Sequence, residues 1–170
     1  MSTRVIAIAL ILLFCVAGLR AQAQPKPEYG IKEDQPSSGS RIRQLAVGPA
    51  AIPVNLPYER LSPEDRAKFN ENYENIPAGD EPPFPQGGLR AILEPIYKAQ
   101  AKLLVSGDLF LIARVDASGA VQSVTAVGSP SPEMTKFAAS VLVLTKFKPA
   151  MCSGQPCSME FPLHMRFKVE

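Results

Sequence analysis

The side chains of this sequence that could carry chemistry are few: a cysteine pair, one histidine and a scatter of carboxylates. Cys152 and Cys157 stand with four residues between them, Gly154 and Pro156 included. An even pair at this spacing closes a small disulfide loop if the chain enters an oxidising compartment. In the chain-entropy account such a loop contributes ~2 kcal/mol, less any strain. A redox-active pair is the sharper alternative, a thiol-disulfide oxidoreductase. The thioredoxin motif, however, keeps two residues between its cysteines and opens a helix, whereas this pair joins a helix exit to a strand. His164 is the only histidine and falls on the polar face of an alternating run, which makes it a sheet-surface residue. With no second histidine or carboxylate set at ligand spacing, a zinc or other transition-metal site has no support. The G-x-S-x-G elbow is absent, and nothing near His164 marks an activated serine. Gly87-Gly88 precedes a helix but lacks the rest of any phosphate fingerprint. Asp108 and Asp116 lie eight residues apart on an extended run. That is ~27 Å of strand, too far for paired acid–base work, so both read as solvating strand ends. The expectation is a protein without catalysis, cofactor or metal.

The elements that hold these residues can be read from spacing. Asp108 to Asp116 is an apolar run of strand formers, Ala117-Ser118-Gly119 is a turn, and Ala120 to Val127 alternates again. Together they predict a β-hairpin. Ser129 to Glu133 stops the sheet and offers caps, Met134 to Lys146 has helical spacing, and Phe147-Lys148-Pro149-Ala150 ends that helix, because proline cannot continue it. The last segment has the cleanest period of the chain. Met159, Phe161, Leu163, Met165, Phe167 and Val169 share one face, with Ser158, Glu160, Pro162, His164, Arg166 and Lys168 on the other. Such alternation predicts a half-buried strand.

Upstream, Ser62 caps a short helix over 62–74 with Pro63 in its first position. Gly79 to Pro85 holds too many prolines for regular structure. Leu89, Ile92, Leu93, Ile96 and Ala99 or Gln100 give an apolar helix face, broken or bent at Pro95. The fold class expected is α+β: a small two-layer αββαβ domain, a three-stranded antiparallel sheet with helices packed on one face. The domain covers 81–170, and 24–80 is a Pro-rich flexible linker carrying the short helix. A core of roughly ninety residues is small, which makes the cysteine staple useful.

Ser2-Thr3-Arg4, the charge-free run Val5 to Leu19 and the small-x-small pattern at Ala21-Gln22-Ala23 have the layout of a secretory signal peptide over 1–23. The run is shorter than the ~20 residues of a membrane-spanning helix; an uncut inner-membrane anchor is the alternative. Cys15 follows bulky Phe14, which argues against lipid attachment. The expected location is therefore the periplasm. Removing Arg4 and Arg20 from the 18 basic side chains leaves 16 against 16 acidic ones, so the calculated pI of 8.5 overstates basic character. No Lys/Arg cluster is interleaved with aromatics, and nucleic acid is not expected as a partner.

Recognition is the function class that remains. A terminal strand can lie at a sheet edge, and Pro162 supports this, since strand proline is confined to edges or bulges. Such an edge accepts an extended peptide as an added strand. On composition alone the opposite reading is equally open: Pro162, Arg166 and Lys168 are devices that prevent pairing.

The ordered set Phe84-Pro85, a helix, Gly107-Asp108-Leu109, Val115-Asp116-Ala117-Ser118-Gly119-Ala120-Val121, Phe147-Lys148-Pro149-Ala150 and Gly154-Gln155-Pro156 resembles the C-terminal domain of TonB-type energy transducers. The likeness covers about Glu81 to Glu170. It implies a domain that grips a short segment of an outer-membrane TonB-dependent receptor, the TonB box, by strand addition beside its final strand. On this chain that strand is Met159 to Lys168, with Glu160, His164 and Arg166 tuning the choice of partner. The family's anchors engage an inner-membrane motor through polar residues that include a histidine, whereas Val5 to Leu19 has no His, Ser or charge. Residues 24–80 span at most ~200 Å fully extended. The resemblance thus implies peptide binding more directly than force transduction. A self-assembling envelope adaptor, a homodimer formed by strand exchange, is the other partner reading.

Overall fold

A computed structural model describes residues 52–169; the expected signal peptide at 1–23, Cys15 and the first part of the expected linker lie outside them. The chain runs through a 3-10 turn (Tyr58–Arg60), α1 (Pro63–Asn70), β1 (Phe84–Pro85), α2 (Arg90–Leu103), β2 (Gly107–Val115) and β3 (Val121–Gly128). It continues with α3 (Pro132–Leu144), β4 (Phe147–Lys148), β5 (Ala150–Cys152), β6 (Gln155–Cys157) and β7 (Met159–Phe167). β2 pairs antiparallel with both β3 and β7, giving a three-stranded sheet of order β3-β2-β7. The architecture is α+β. Among the described residues no helix is long and apolar enough to cross a membrane.

Alternation decides which face of the sheet is covered. Leu109, Leu111, Ala113 and Val115 of β2 and Phe161, Leu163, Met165 and Phe167 of β7 are all buried. Against this face α3 packs over β2 and β3, and α2 packs on α3, burying Met134, Ala138 and Leu142 with Ile92 and Ile96. Burying a Leu or Phe contributes roughly 1.5–3 kcal/mol, so β7 is a major source of stability. Helix α3 starts at Pro132 and ends at Leu144, two residues before the expected Met134 and Lys146, because a serine of the expected capping stretch sets its start: Ser131 Oγ accepts the Met134 N–H at 3.1 Å, with Pro132 in the first turn. Ser62 does the same for α1 through Asp65 N–H, also at 3.1 Å.

Several expectations need correction. The segment read as linker up to residue 80 is packed from its first described residue: Ile52, Tyr58, Leu61, Phe69 and Tyr73 are buried. Phe69 lies 5.0 Å from the Phe84 ring and 6.1 Å from that of Phe161, and Tyr58 lies 5.7 Å from Phe84. Sparse aromatics, without period, supply the burial that its composition conceals. α1 stops at Asn70 rather than Glu74. The expected irregular stretch before Gln86 contains a strand, Phe84–Pro85 pairing with Phe147–Lys148. Proline is compatible with this because, among the described residues, β1 and β4 form a sheet of two strands, so each has a side on which no described strand pairs. α2 runs unbroken through Pro95. The proline ring removes one N–H, which leaves only the Ala91 carbonyl without its helical donor, and Ala91 is exposed to water. Cys152 and Cys157 are bonded, but they close a hairpin of their own, β5–β6, turned by Ser153 and Gly154 at φ 50° and 79°.

The residues of the β2–β3 turn meet the rest of the fold at one point. Asp116 Oδ1 accepts from Ser118 N–H at 2.8 Å, Ser118 O–H at 2.6 Å and Ala120 N–H at 3.0 Å, while Gln122 donates to its other oxygen. Phe147 N–H then donates to the Gly119 carbonyl at 3.1 Å. Gly119 has φ +82°, and a β-carbon there would lie 2.1 Å from the Phe147 carbonyl oxygen. Gly154 has φ +79° with nothing within 4 Å. Gly119→Ala is accordingly expected to lower unfolding free energy by more than ~2 kcal/mol, from strain and collision together. Gly154→Ala should cost about 1 kcal/mol, from strain alone. Chemical denaturation of the two variants checks the difference, and equal losses would contradict the packing account.

Candidate functional site

β7 is an edge of the three-stranded sheet, and it is the regular edge. Its nine residues pair with β2 from Gly107↔Phe167 to Val115↔Met159 without a register shift. β3, the opposite edge, is interrupted twice, between Phe110 and Leu111 and between Arg114 and Val115 of its partner. Bulges of this kind spoil an edge as a template.

Pro162 sets which backbone groups of β7 face outward. It stands opposite Ile112 and has no N–H, so an intact ladder makes this a non-hydrogen-bonded pair. By the same alternation Met159, Phe161, Leu163, Met165 and Phe167 bond to β2, while Glu160, Pro162, His164 and Arg166 turn their N–H and C=O groups to the outer side, where no other described strand pairs. The Tyr73 hydroxyl agrees with this phase: it donates to the Glu160 carbonyl at 3.0 Å. Tyr73 is itself buried, and burial pushes its phenol well above the ordinary value, with Glu160 adding to the rise. It therefore stays a neutral donor.

The ten residues expected to form the peptide-binding strand thus divide. Met159 is half-buried, and Phe161, Leu163, Met165 and Phe167 are core anchors. The carbonyl of Glu160 is occupied by Tyr73. Pro162, His164 and Arg166 offer outward backbone groups, and exposed Lys168 follows just beyond the strand end at Phe167. Two of the three side chains expected to tune partner choice, His164 and Arg166, are engaged across the sheet. Arg166 donates to Asp108 from Nε at 2.7 Å and from Nη2 at 3.3 Å. His164 Nε2 lies 3.5 Å from the same carboxylate, its ring 5.6 Å from that of Phe110. The Arg166 hydrogen bonds hold the Asp108 carboxyl below the ordinary aspartate value of 3.8, against partial desolvation. Asp108 is therefore a cross-strand partner as well as a strand end. Its oppositely charged neighbour appears only once the register places position 108 beside 166.

The motif residues do not line this edge. Phe84 and Pro85 pair with Phe147 and Lys148, and Asp116 and Gly119 build the turn that Phe147 closes. Pro149 lies beside Gly119, and Gly154 and Pro156 shape the disulfide hairpin. They are joints of the fold. Tyr73 is the edge residue that sequence reading misses, since no period surrounds it. Among the described residues no group of three His, Cys, Asp or Glu side chains could hold a metal ion. Comparison with models of known protein families finds no match, and comparison with curated proteins finds none either.

Two outcomes follow for the edge. Tyr73→Phe should lower unfolding free energy by about 1 kcal/mol, the usual net worth of one hydrogen bond, in a denaturant titration. Arg166→Gln should raise the pH at which the Asp108 carboxyl titrates in a carbon-detected NMR series. The folded pKa of Asp108 is depressed, so its share of stability is complete above the unfolded aspartate value and disappears as pH falls through the lower folded value. The Gln variant should lose that acid-side slope.

Proposed function

We propose that this protein is a non-enzymatic, TonB-like binding module that takes an extended peptide of an outer-membrane receptor, or of another envelope protein, as an added strand on β7. The observation that carries the reading is the regular edge of β7, unpaired by any other described strand, whose outward groups lie between Pro162 and Arg166. In strand addition backbone hydrogen bonds supply affinity and alternate side chains supply choice. His164 and Arg166 can each offer both an N–H and a C=O, whereas Pro162 offers a carbonyl alone. Tyr73 marks where pairing must stop. The ordered motif set resembling the TonB C-terminal domain supports the same reading, and with it a periplasmic location and a part in TonB-dependent transport. The Cys152–Cys157 pair sits in a hairpin rather than at a helix start, which favours a staple over a thiol–disulfide oxidoreductase.

Deleting β7 would remove four buried core side chains, so the informative variant blocks the edge and keeps the strand. Amide NMR of the chain, titrated with receptor peptides from the same organism, should show shifts concentrated at His164 and Arg166. His164→Pro removes one outward N–H and should weaken that binding about tenfold, the worth of one good hydrogen bond. Shifts confined to the helices, or none with any receptor peptide, would sink the reading. Mass that rises with concentration and falls in His164→Pro would instead assign the edge to strand exchange between two copies.

A further inference from the structure

The outer flank of the α2–α3 pair carries apolar side chains that nothing in the described fold covers. Leu144 is 80% exposed, Leu104 63%, and Phe137 and Leu103 40% each. On α3 the core side is Met134, Ala138 and Leu142. Phe137, Val141 and Leu144 recur at i, i+4 and i+7 and form a second stripe beside it. Two shallow depressions line up along this flank. One runs from Ala91 and Pro95 to Val141 and Leu144, and the other from Pro95 and Lys102 to Phe137. They share Pro95, so one trough follows the length of the helix pair.

The charge at its ends is positive. Lys146 borders one end, and Lys98 and Lys102 border the other together with the single carboxylate of Glu133. Lys98 shares Glu94 with Arg90; among the described residues Lys102 and Lys146 have no ion-pair partner. Each protruding leucine therefore has an ammonium within two residues: Lys102 before Leu103-Leu104, and Lys146 after Leu144.

Leu104 adds an independent observation. It ends α2 at φ 49°, ψ 41°, in the left-handed region, where glycine or asparagine is the usual helix terminator. A leucine is strained there, and its exposure means that packing does not compensate. Local stability gives no reason for leucine at this position; an external apolar contact does.

We propose that this face docks on an anionic phospholipid bilayer, with Phe137, Leu144 and the Leu103–Leu104 tip entering the headgroup–acyl boundary and Lys98, Lys102 and Lys146 meeting lipid phosphates. The protrusion of the leucines favours a bilayer over a protein ligand seated in the trough. Side chains so exposed insert into a partner, and an interface of lipid receives them without shape complementarity. Lysine stems beside them cover apolar surface while the ammoniums stay at the phosphate level.

The chain contains no tryptophan, so single-tryptophan variants of the full chain report position without background. Phe137→Trp and Leu144→Trp are mixed with vesicles of phosphatidylethanolamine and 30% phosphatidylglycerol carrying brominated acyl chains. Val127→Trp, at an exposed site on β3, is the control. Both helix-face reporters should be quenched and blue-shifted, the control unchanged, and the effect lost in neutral phosphatidylcholine. Lys102→Gln and Lys146→Gln should each lower apparent vesicle affinity about fivefold. Leu104→Asn should lower it by a similar factor while raising the denaturation midpoint, which separates contact with lipid from a role in folding. A chain held to vesicles only through its N-terminal segment would leave the helix-face reporters as unquenched as Val127→Trp. That result, or equal quenching in neutral vesicles, overturns the proposal.

Discussion

The carbonyl of Phe147 occupies the space that a side chain on Gly119 would need, and the contact ties five parts of the chain together. The β2–β3 turn rests on β4 through Phe147 N–H and the Gly119 carbonyl. β4 holds β1 by pairing with Phe84 and Pro85. The Phe147 ring lies 5.0 Å from that of Phe161, which seats the start of β7, and Phe84 meets Tyr58 and Phe69 from the segment before the sheet. Only a residue without a β-carbon allows the turn this close. The packing at the start of the terminal strand is thereby linked to a glycine remote from it in sequence.

The sheet treats its two edges differently. β3 is spoiled by two register shifts, while β7 is regular but shortened from one side by Tyr73 and stripped of one donor by Pro162. Such features limit indiscriminate pairing without closing the edge. What they leave is a short window around His164 and Arg166, beside a carboxylate already satisfied by a guanidinium. A window of this size favours a short extended segment over a whole partner strand. Affinity would then rest on few backbone bonds, so the partner's side chains would matter correspondingly more.

The helix layer faces away from that window. α3 covers β2 and β3, so the stripe from Phe137 to Leu144 lies beyond the core, with the sheet beneath it. The strained Leu104 stands apart from the rest of the fold, where glycines take most of the positive-φ positions and capping serines sit at the starts of α1 and α3. Ser153, the other non-glycine residue with positive φ among the described residues, sits in a two-residue hairpin turn that demands it, whereas Leu104 only ends a helix.

Local features were legible in the sequence because a few neighbouring residues encode them. The alternation of β7, the Asp116–Gly119 turn, the Ser62 and Ser131 caps and the apolar side of α2 are all settled within one or two turns or strand repeats. The three-stranded antiparallel sheet followed from these. The sequence could not reveal that Tyr58, Phe69 and Tyr73 pack into the core, that Phe84–Pro85 is a strand, or that Pro95 leaves its helix whole. Nor could it tell which backbone groups of β7 remain available. Each of these depends on partners distant in the chain: Tyr73 matters through Glu160, β1 through β4, and Asp108 through Arg166. Hydrophobic burial and hydrogen bonding respond to distance in space, so composition and period cannot report them until the fold has brought the partners together.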